Sequence, residues 1–291
     1  MSRAERGGLA AAIAIFYVFL WASAYVPSKI ASVESQPLWF LVARFLAAGT
    51  LLAVLAIALR RPFPANAREW FVACALGLLA NTLYLGLTYL AMRRLSAGMG
   101  AILASTNPLV LGLLAPRLLG ERLTRLKVAG LVLGFGGVAA VVLGRGGSQS
   151  ALPLDVALAF AGVLSGVAST LLFKRSAGGQ SLIALTAVQM FFAGVMMVPF
   201  AAAISGAPRL VLTPELIASF WYLVLVLSVG ASLIWFWLLT KGEASRVSAF
   251  YYLTPVFGLG LSALFLREPV SWHDAVGLAA IALGIALVQR S

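Results

Sequence analysis

Three polar side chains recur within an apolar stretch between residues 70 and 92. Asn81, Tyr84 and Thr88 are spaced i, i+3, i+7, which places them on one face of a helix. Their amide and hydroxyl groups can exchange hydrogen bonds with a small polar ligand. Because polar groups avoid lipid, we expect this face to point into the protein. The same groups could instead bond to neighbouring helices, and the spacing leaves both interpretations open.

Aromatic and hydroxyl side chains are repeated along the helical faces of other apolar stretches. Trp21, Tyr25 and Ser28, for example, are spaced i, i+4, i+7. Together these faces predict an aromatic, hydroxyl-lined cavity. Tyr84, Trp235 and Tyr251 lie deepest and are the first candidates for substrate contact. The full set of further candidates is Trp21, Tyr25, Ser28, Ser228, Ser232, Trp235, Ser248, Tyr251 and Tyr252.

Arg44 is a single charge inside the apolar stretch 37–59, about two helical turns from its predicted outer end. An intramembrane charge costs several kcal/mol unless it reaches water, an ion partner or the interface. If it faces the cavity, its guanidinium can bind a substrate carboxylate through two parallel hydrogen bonds. The alternative is that Arg44 extends to the outer interface or caps helix carbonyls.

Two prolines fall near the middle of apolar stretches. Pro108 and Pro255 each remove a backbone donor, which frees the carbonyl four residues earlier, at Ala104 and Tyr251. Such breaks are tolerated where the freed group faces protein or a water-filled cavity. We expect hinges at both prolines, although ordinary kinks are the alternative.

Several kinds of chemistry are missing from the chain. It has no phosphate-binding G-x-x-x-x-G-K-[ST] segment and no C-x-x-C pair, and its only histidine, His273, is in the last predicted loop. The acidic residues fall in loops or at the ends of apolar stretches, so no buried carboxylate relay is evident. We therefore predict neither an enzyme nor a cofactor or metal site.

The composition sets the environment in which these residues act. Of the 291 residues, 62% are hydrophobic and only 10% are charged, whereas a soluble domain carries about 25% charged residues. The expected solvent is lipid. Because one membrane-spanning helix takes about 20 residues, the chain predicts ten helices, at 9–28, 37–59, 70–92, 97–116, 128–144, 156–173, 182–204, 216–240, 247–266 and 275–289.

The second half of the chain repeats the first. Segment 118–130 resembles segment 265–277, and an offset of 147 also pairs Pro108 with Pro255 and Glu121 with Glu268. Earlier in each half the offset is 145, and Arg44 stands opposite Gln189. The division predicted is 1–145 and 146–291, with five helices each. Because five is odd, the second repeat must enter the membrane from the opposite side, which is the construction of many secondary transporters.

The net charge of +12 would suggest nucleic acid as a partner of a soluble protein. Here the basic residues lie singly or in small groups between apolar runs, so they indicate topology instead. With the N-terminus inside, the inner loops carry 14 of the 21 Lys and Arg residues and the outer loops six, with Arg44 as the remaining one. The excess predicts that both termini are cytoplasmic.

The motifs carry a family resemblance over essentially the whole chain. Asn107-Pro108 followed by L-G-E-R at 119–122, Thr254-Pro255 followed by L-R-E-P at 266–269, and Arg44-Phe45 resemble the EamA-type permeases of the drug/metabolite transporter superfamily. The chain also looks like the YddG-type amino-acid exporters of bacteria. The resemblance implies export of amino acids or related metabolites across a bacterial inner membrane.

These observations favour an all-α membrane protein of two inverted five-helix repeats that exports small metabolites by alternating access. The expected partners are a small-molecule substrate and the lipid bilayer. A passive channel or an intramembrane enzyme is the alternative. The missing catalytic pairs disfavour an enzyme, and the paired prolines disfavour a channel.

Overall fold

The computed structural model describes residues 3–91, 103–144, 153–176, 178–209, 212–257 and 272–291. Every regular element in these ranges is a helix, and helices occupy each of the ten predicted spans. The beginning of the fourth span, the end of the ninth, Glu268 and the predicted repeat boundary at 145 and 146 fall outside the described residues. The boundary therefore stays a prediction.

The helices are numbered by span. Two spans are compound: α1 consists of Arg3–Ser23 and Tyr25–Glu34, and α9 begins as Ala244–Ala249 and continues as a 3-10 turn at Phe250–Leu253 and a helical segment at 254–257. The others are α2 Pro37–Ala58, α3 Ala67–Ala91, α4 Thr106–Leu119, α5 Arg125–Gly144, α6 Pro153–Ser176, α7 Leu182–Ser205, α8 Pro214–Lys241 and α10 Trp272–Arg290.

Among the described residues, six helices are long and apolar enough to cross a bilayer. They are Gly8–Ser28, Pro37–Ala58, Ala67–Ala91, Pro153–Ser176, Leu182–Ser205 and Pro214–Lys241. Their outer faces expose large apolar side chains, such as Val54 and Phe71 at 61% and 70%. Such exposure suits lipid and would be unfavourable in water. The prediction of an all-α membrane protein is confirmed.

Helices that correspond to each other in the two halves pack together reciprocally. A Cβ at Gly49 of α2 would lie 2.5 Å from the backbone nitrogen of Phe191 in α7, and one at Gly194 would lie 2.8 Å from Cγ of Leu46. At the offset of 145, Gly49 corresponds to Gly194 and Leu46 corresponds to Phe191, so the two contacts are equivalent. Because the sequence order is reversed between the partners, α2 and α7 run antiparallel, as inversion of the halves requires.

The same reciprocity joins α5 and α10. A Cβ at Gly130 would lie 2.6 Å from the carbonyl oxygen of Gly284, and one at Gly137 would lie 2.7 Å from that of Gly277. Gly134 also contacts Gly284, so Gly130 and Gly134 form a packing face of the G-x-x-x-G kind. Only glycine permits backbones to approach this closely.

Two helices widen at corresponding depths. α3 is π-helical over Leu78–Leu83, and α8 is π-helical over Leu223–Ala231. The wider turns contain Asn81 and Ser228, which are counterparts at the offset of 147. Since π turns concentrate at functional sites, they draw attention to the space between α3 and α8.

Candidate functional site

A cavity lies between the two halves, at the level of the π turns. The empty space in and around it, open solvent included, is about 690 Å³. Candidates predicted from the sequence that line it are Trp21, Arg44, Asn81, Tyr84, Ser228, Ser232, Trp235 and Tyr251. A second cavity shares Trp21, Arg44 and Tyr84 with it and adds Ser28 and Thr88. The structure thus brings most of the predicted residues together around two adjoining cavities.

Aromatic rings form one wall of the cavity. The Tyr17 ring packs on Trp235 at a centroid distance of 5.3 Å, and Trp235 packs on Tyr251 at 5.2 Å. Trp21 stacks nearly parallel to Tyr84 at 6.3 Å. The hydroxyls of Tyr17 and Tyr251 lie 2.5 Å apart. These contacts fix the rings, so their faces form a rigid apolar surface.

Arg44 supplies the charge of the cavity. The residue is only 5% exposed, and its Nε donates a 2.8 Å hydrogen bond to Oγ of Ser228. Among the described lining residues, Arg44 is the one with a charged side chain. A side chain buried to this extent does not reach the interface, which excludes the alternative that it extends to the outer surface. The guanidinium also has a hydrogen bond with the Tyr89 side chain. The N–H groups that neither Ser228 nor Tyr89 occupies are the donors available to an anion.

Three side-chain amides converge on the same cavity with buried polar atoms. Nδ2 of Asn81, Oδ1 of Asn107 and Oε1 of Gln189 have no hydrogen-bond partner among the described residues. Leaving such a group unpaired costs about 1–3 kcal/mol. A polar ligand or water in the cavity would satisfy one donor and two acceptors.

Two predicted contacts are not among the lining residues. Tyr252 does not line the described cavities: it is fully buried, its ring contacts Gly134 of α5, and its hydroxyl donates to the carbonyl of Leu131 at 2.9 Å. Adjacent residues point in different directions around a helix, so Tyr252 does not share the face that Tyr251 presents to the cavity. Tyr25 begins the second segment of α1, but its side chain lies outside the described part of the structure.

Both prolines follow an interruption of their helix. At Pro108 the break is a turn at Ser105, and at Pro255 it is the 3-10 stretch Phe250–Leu253. The irregular backbone predicted at the two prolines is therefore present, whereas the hinge role stays a prediction. The residues before the prolines, Asn107 and Thr254, line cavity space next to Tyr251.

Some cavity residues were not selected from the sequence. Tyr17 lies four residues before Trp21 on the same helix face, and Gln189 is the counterpart of Arg44, so both carried a signal. Asn107 was noted only as part of the Asn-Pro motif. Tyr89 lines the second cavity, and its hydroxyl donates to Oγ of Ser28 at 2.8 Å. No feature of the sequence had singled out this residue.

The fold and the cavity define the class of protein: an all-α, multi-pass membrane protein with a polar cavity between two inverted halves. The sequence model of the EamA-like transporter family matches the chain twice, at residues 8–143 and 154–290. The chain belongs to this family, within the drug/metabolite transporter superfamily, and is a membrane transporter.

Relatives with similar sequences cover nearly the whole chain. It is 31% identical over 277 residues to the uncharacterized transporter YvbV of Bacillus subtilis, an alignment that covers 94% of this chain and 89% of the relative. It is 28% identical to protein PecM of Dickeya dadantii, with 93% and 89% covered. A solved crystal structure shares the fold with a TM-score of 0.77 at 17% identity, covering 97% of both chains.

Proposed function

We propose that this transporter exports small metabolites, foremost amino acids, by alternating access. The observation that carries the proposal is the buried Arg44 in a cavity of aromatic rings and unpartnered amides. A carboxylate offsets the cost of burying the guanidinium and accepts from its N–H groups in a planar, two-point geometry. The cavity therefore suits a small ligand that carries a carboxylate.

The remaining groups suit the other parts of an amino acid. An ammonium group can donate to Oδ1 of Asn107 and Oε1 of Gln189, both of which are acceptors without a partner among the described residues. Aromatic faces attract a desolvated cation as well. The apolar wall of Tyr17, Trp21 and Trp235 is available to a side chain. The proposed substrate is thus a zwitterion whose apolar part faces the rings.

Alternating access is supported by the architecture. The two halves pack through counterpart helices in antiparallel orientation, so each half can adopt the conformation of the other. In that exchange the cavity would open first to one face and then to the other. The interrupted helices at Pro108 and Pro255 supply irregular backbone where such a movement requires it.

The proposed location is the inner membrane of a bacterium with both termini in the cytoplasm. The support is the excess of Lys and Arg in the loops on the side of the termini. Reporter fusions test it: a C-terminal fusion to alkaline phosphatase should be inactive and one to a fluorescent protein should be bright. An active phosphatase fusion would refute the orientation.

Counterflow in proteoliposomes tests the function. Vesicles preloaded with an unlabelled amino acid should transiently accumulate the labelled one, and the initial rate should saturate with concentration. Flux that stays linear with concentration and gives no counterflow would indicate a channel instead. Repeating the assay with and without a pH gradient tests proton coupling. Failure of a broad panel of amino acids would refute the substrate class.

A further inference from the structure

A carboxylate of the first half holds the beginning of α9 in the second half. Glu121, in the connection between α4 and α5, accepts from the backbone nitrogens of Ala244 at 2.6 Å and Ser245 at 3.4 Å, and from the hydroxyl of Ser245. Its side chain is only 6% exposed. Hydrogen bonds to a buried carboxylate are among the stronger ones in proteins, so this contact binds the two halves.

Lys127 reinforces the contact from the start of α5. Its Nζ lies 3.5 Å from Glu121 Oε2 and 2.9 Å from Glu243 Oε2, and it donates to the carbonyl of Arg122 at 3.1 Å. The lysine is 1% exposed. An ammonium this deeply buried needs its carboxylate partners. Parting Glu121 from α9 would therefore also separate Lys127 from Glu243.

The second half presents a fixed surface to Glu121. Lys174, near the end of α6, donates to the carbonyls of Leu239 at 2.9 Å and Gly242 at 2.8 Å, which end α8. The rings of Phe173 and Phe236 pack beside it with centroids 4.5 Å apart. The segment that bonds to Glu121 is thus joined to α8 along the chain and hydrogen-bonded to α6, both of its own half.

This contact lies on the face where the chain ends, here called the terminal face. Arg246, two residues after Ala244, bonds to the carbonyl of Ser291, and Gln289 donates to the carbonyl of Arg246 at 2.8 Å. The cavity extends the other way: its lining includes Ser28, Thr88, Leu103 and Ala159. These residues lie near the helix ends opposite the terminal face.

We propose that Glu121 is the latch that keeps the terminal face closed, so that its release from Ala244 and Ser245 opens the cavity to that face. The proposal rests on the proposed alternating access. Opening must separate the two halves where they meet between the cavity and the terminal face. The Glu121 contact joins the halves in this region. Losing the carboxylate should shift the population toward the state that is open to the terminal face.

Cysteine labelling from each side of the membrane tests the latch. The reporter is Ser169→Cys, at a cavity position in α6, in a Cys74→Ala background. A membrane-impermeant maleimide is applied to vesicles of either orientation. With Glu121→Gln, labelling from the terminal face should be faster by about tenfold, as expected when hydrogen bonds to a charged group are lost. Labelling from the opposite face should not become faster, because the population of the state open to that face can only fall.

Glu69→Gln is the matched control. Glu69 is also a carboxylate near the terminal face that helps to cap a helix, but its partners, Ala65 and Asn66, belong to its own half. This variant should label at the parent rate from both faces. If Glu121→Gln also labels at the parent rate, the latch is refuted. Faster labelling from both faces would indicate loosened packing and would equally refute it.

Ser245→Ala keeps the test decisive if Glu121→Gln does not fold, as judged by size-exclusion chromatography. It removes one of the three hydrogen bonds, so terminal-face labelling should rise by a smaller factor, and an unchanged rate refutes the proposal. Counterflow separates this result from the proposed function. If the protein exchanges amino acids but the labelling does not shift, the latch is refuted and the proposed function stands. If the labelling shifts but no amino acid is exchanged, the proposed substrate class is refuted and the latch stands.

Discussion

Arg44 and Gln189 occupy the same place in the two halves, and both line the central cavity. The two halves are therefore alike in backbone but not in chemistry. Arg44 offers donors to an anion, whereas the free amide oxygen of Gln189 offers an acceptor. A ligand with a carboxylate at one end and an ammonium at the other fits this asymmetry.

Replacement of Arg44 by Gln is expected to abolish export without preventing membrane insertion. The variant loses the charge and the planar donor pair, so kcat/KM for a carboxylate substrate should fall by at least about tenfold. Lys at this position should restore only part of the activity, since it cannot donate in the same plane. Counterflow rates and the amount of protein in the membrane are the measurements.

The control is Arg68→Gln, which removes an exposed arginine at the start of α3. It changes the net charge by the same amount and should transport at the parent rate. Near-normal transport by Arg44→Gln would contradict the assignment of substrate contact to Arg44.

Replacement of tyrosine by phenylalanine should affect stability at Tyr252 and KM at Tyr17. Tyr252→Phe removes a buried hydrogen bond to the Leu131 carbonyl, so we expect a loss of about 1 kcal/mol in stability and an unchanged KM. Tyr17→Phe removes a hydroxyl from the cavity wall and should raise KM. Thermal unfolding in detergent and counterflow kinetics measure the two effects. An altered KM in Tyr252→Phe would contradict its placement outside the cavity.

Most of the site could be predicted because exposing a polar side chain to lipid is costly, so polar residues in apolar helices face the protein interior. Asn81 and Tyr84 were selected by burial cost and helix spacing, and Trp235 was selected as the counterpart of Thr88 at the offset of 147. Tyr252 was selected together with its neighbour Tyr251, but adjacent residues of a helix do not share a face, and only Tyr251 lines the cavity. The sequence did not predict that Arg44 bonds to Ser228, because the two residues are 184 positions apart and meet only in the folded chain.

At the scale of elements, each specialised helix has its counterpart in the other half. The π turns widen α3 and α8 beside the cavity, and irregular backbone precedes Pro108 and Pro255. The close glycine contacts instead allow α2 to pack tightly against α7, and α5 against α10. The repeat offsets predicted that such pairs exist. They did not predict the π turns, because no residue type specifies an extra backbone residue per turn.

Gly49→Ala tests the packing of α2 against α7. The added methyl would lie 2.5 Å from the backbone nitrogen of Phe191, so the helices must separate, and we expect a loss of about 1–3 kcal/mol in stability. Gly136→Ala is the control, since nothing lies within 4 Å of its Cβ. It should leave the unfolding temperature unchanged or raise it, because alanine favours helix. Equal destabilisation by both variants would contradict the close approach.

At the scale of the whole molecule, charge is concentrated at the terminal face. Glu121, Lys127, Glu243 and Arg246 form a network that joins the α4–α5 connection to α9. Composition predicted the membrane environment and the repeats predicted the architecture. The contacts of Glu121 and Lys127 with the second half could not be predicted, because these partners are distant in the chain and meet only after the fold has formed.

This network predicts a loss of stability in acid. Burial raises the pKa of Glu243, but the hydrogen bond from Lys127 and the charges of Lys127 and Arg246 outweigh it, so the pKa lies below its ordinary value of 4.5. A lowered folded-state pKa contributes stability above the unfolded-state pKa, and that contribution is lost as the pH falls through the folded-state pKa. Glu243→Gln should therefore flatten the decline of the unfolding temperature below about pH 4.5. An unchanged acid profile would contradict the coupling.

The reciprocal glycine contacts have a consequence for the linkage of the halves. α2 packs on α7 and α5 on α10, so in these pairs each half buries its glycine face against its counterpart in the other. Two separate copies of one five-helix chain could make such contacts only if they entered the bilayer in opposite orientations. When the two units are joined in a single polypeptide, their opposite orientations no longer depend on how two separate chains happen to insert. It also frees each copy to diverge, as the residues Arg44 and Gln189 have done.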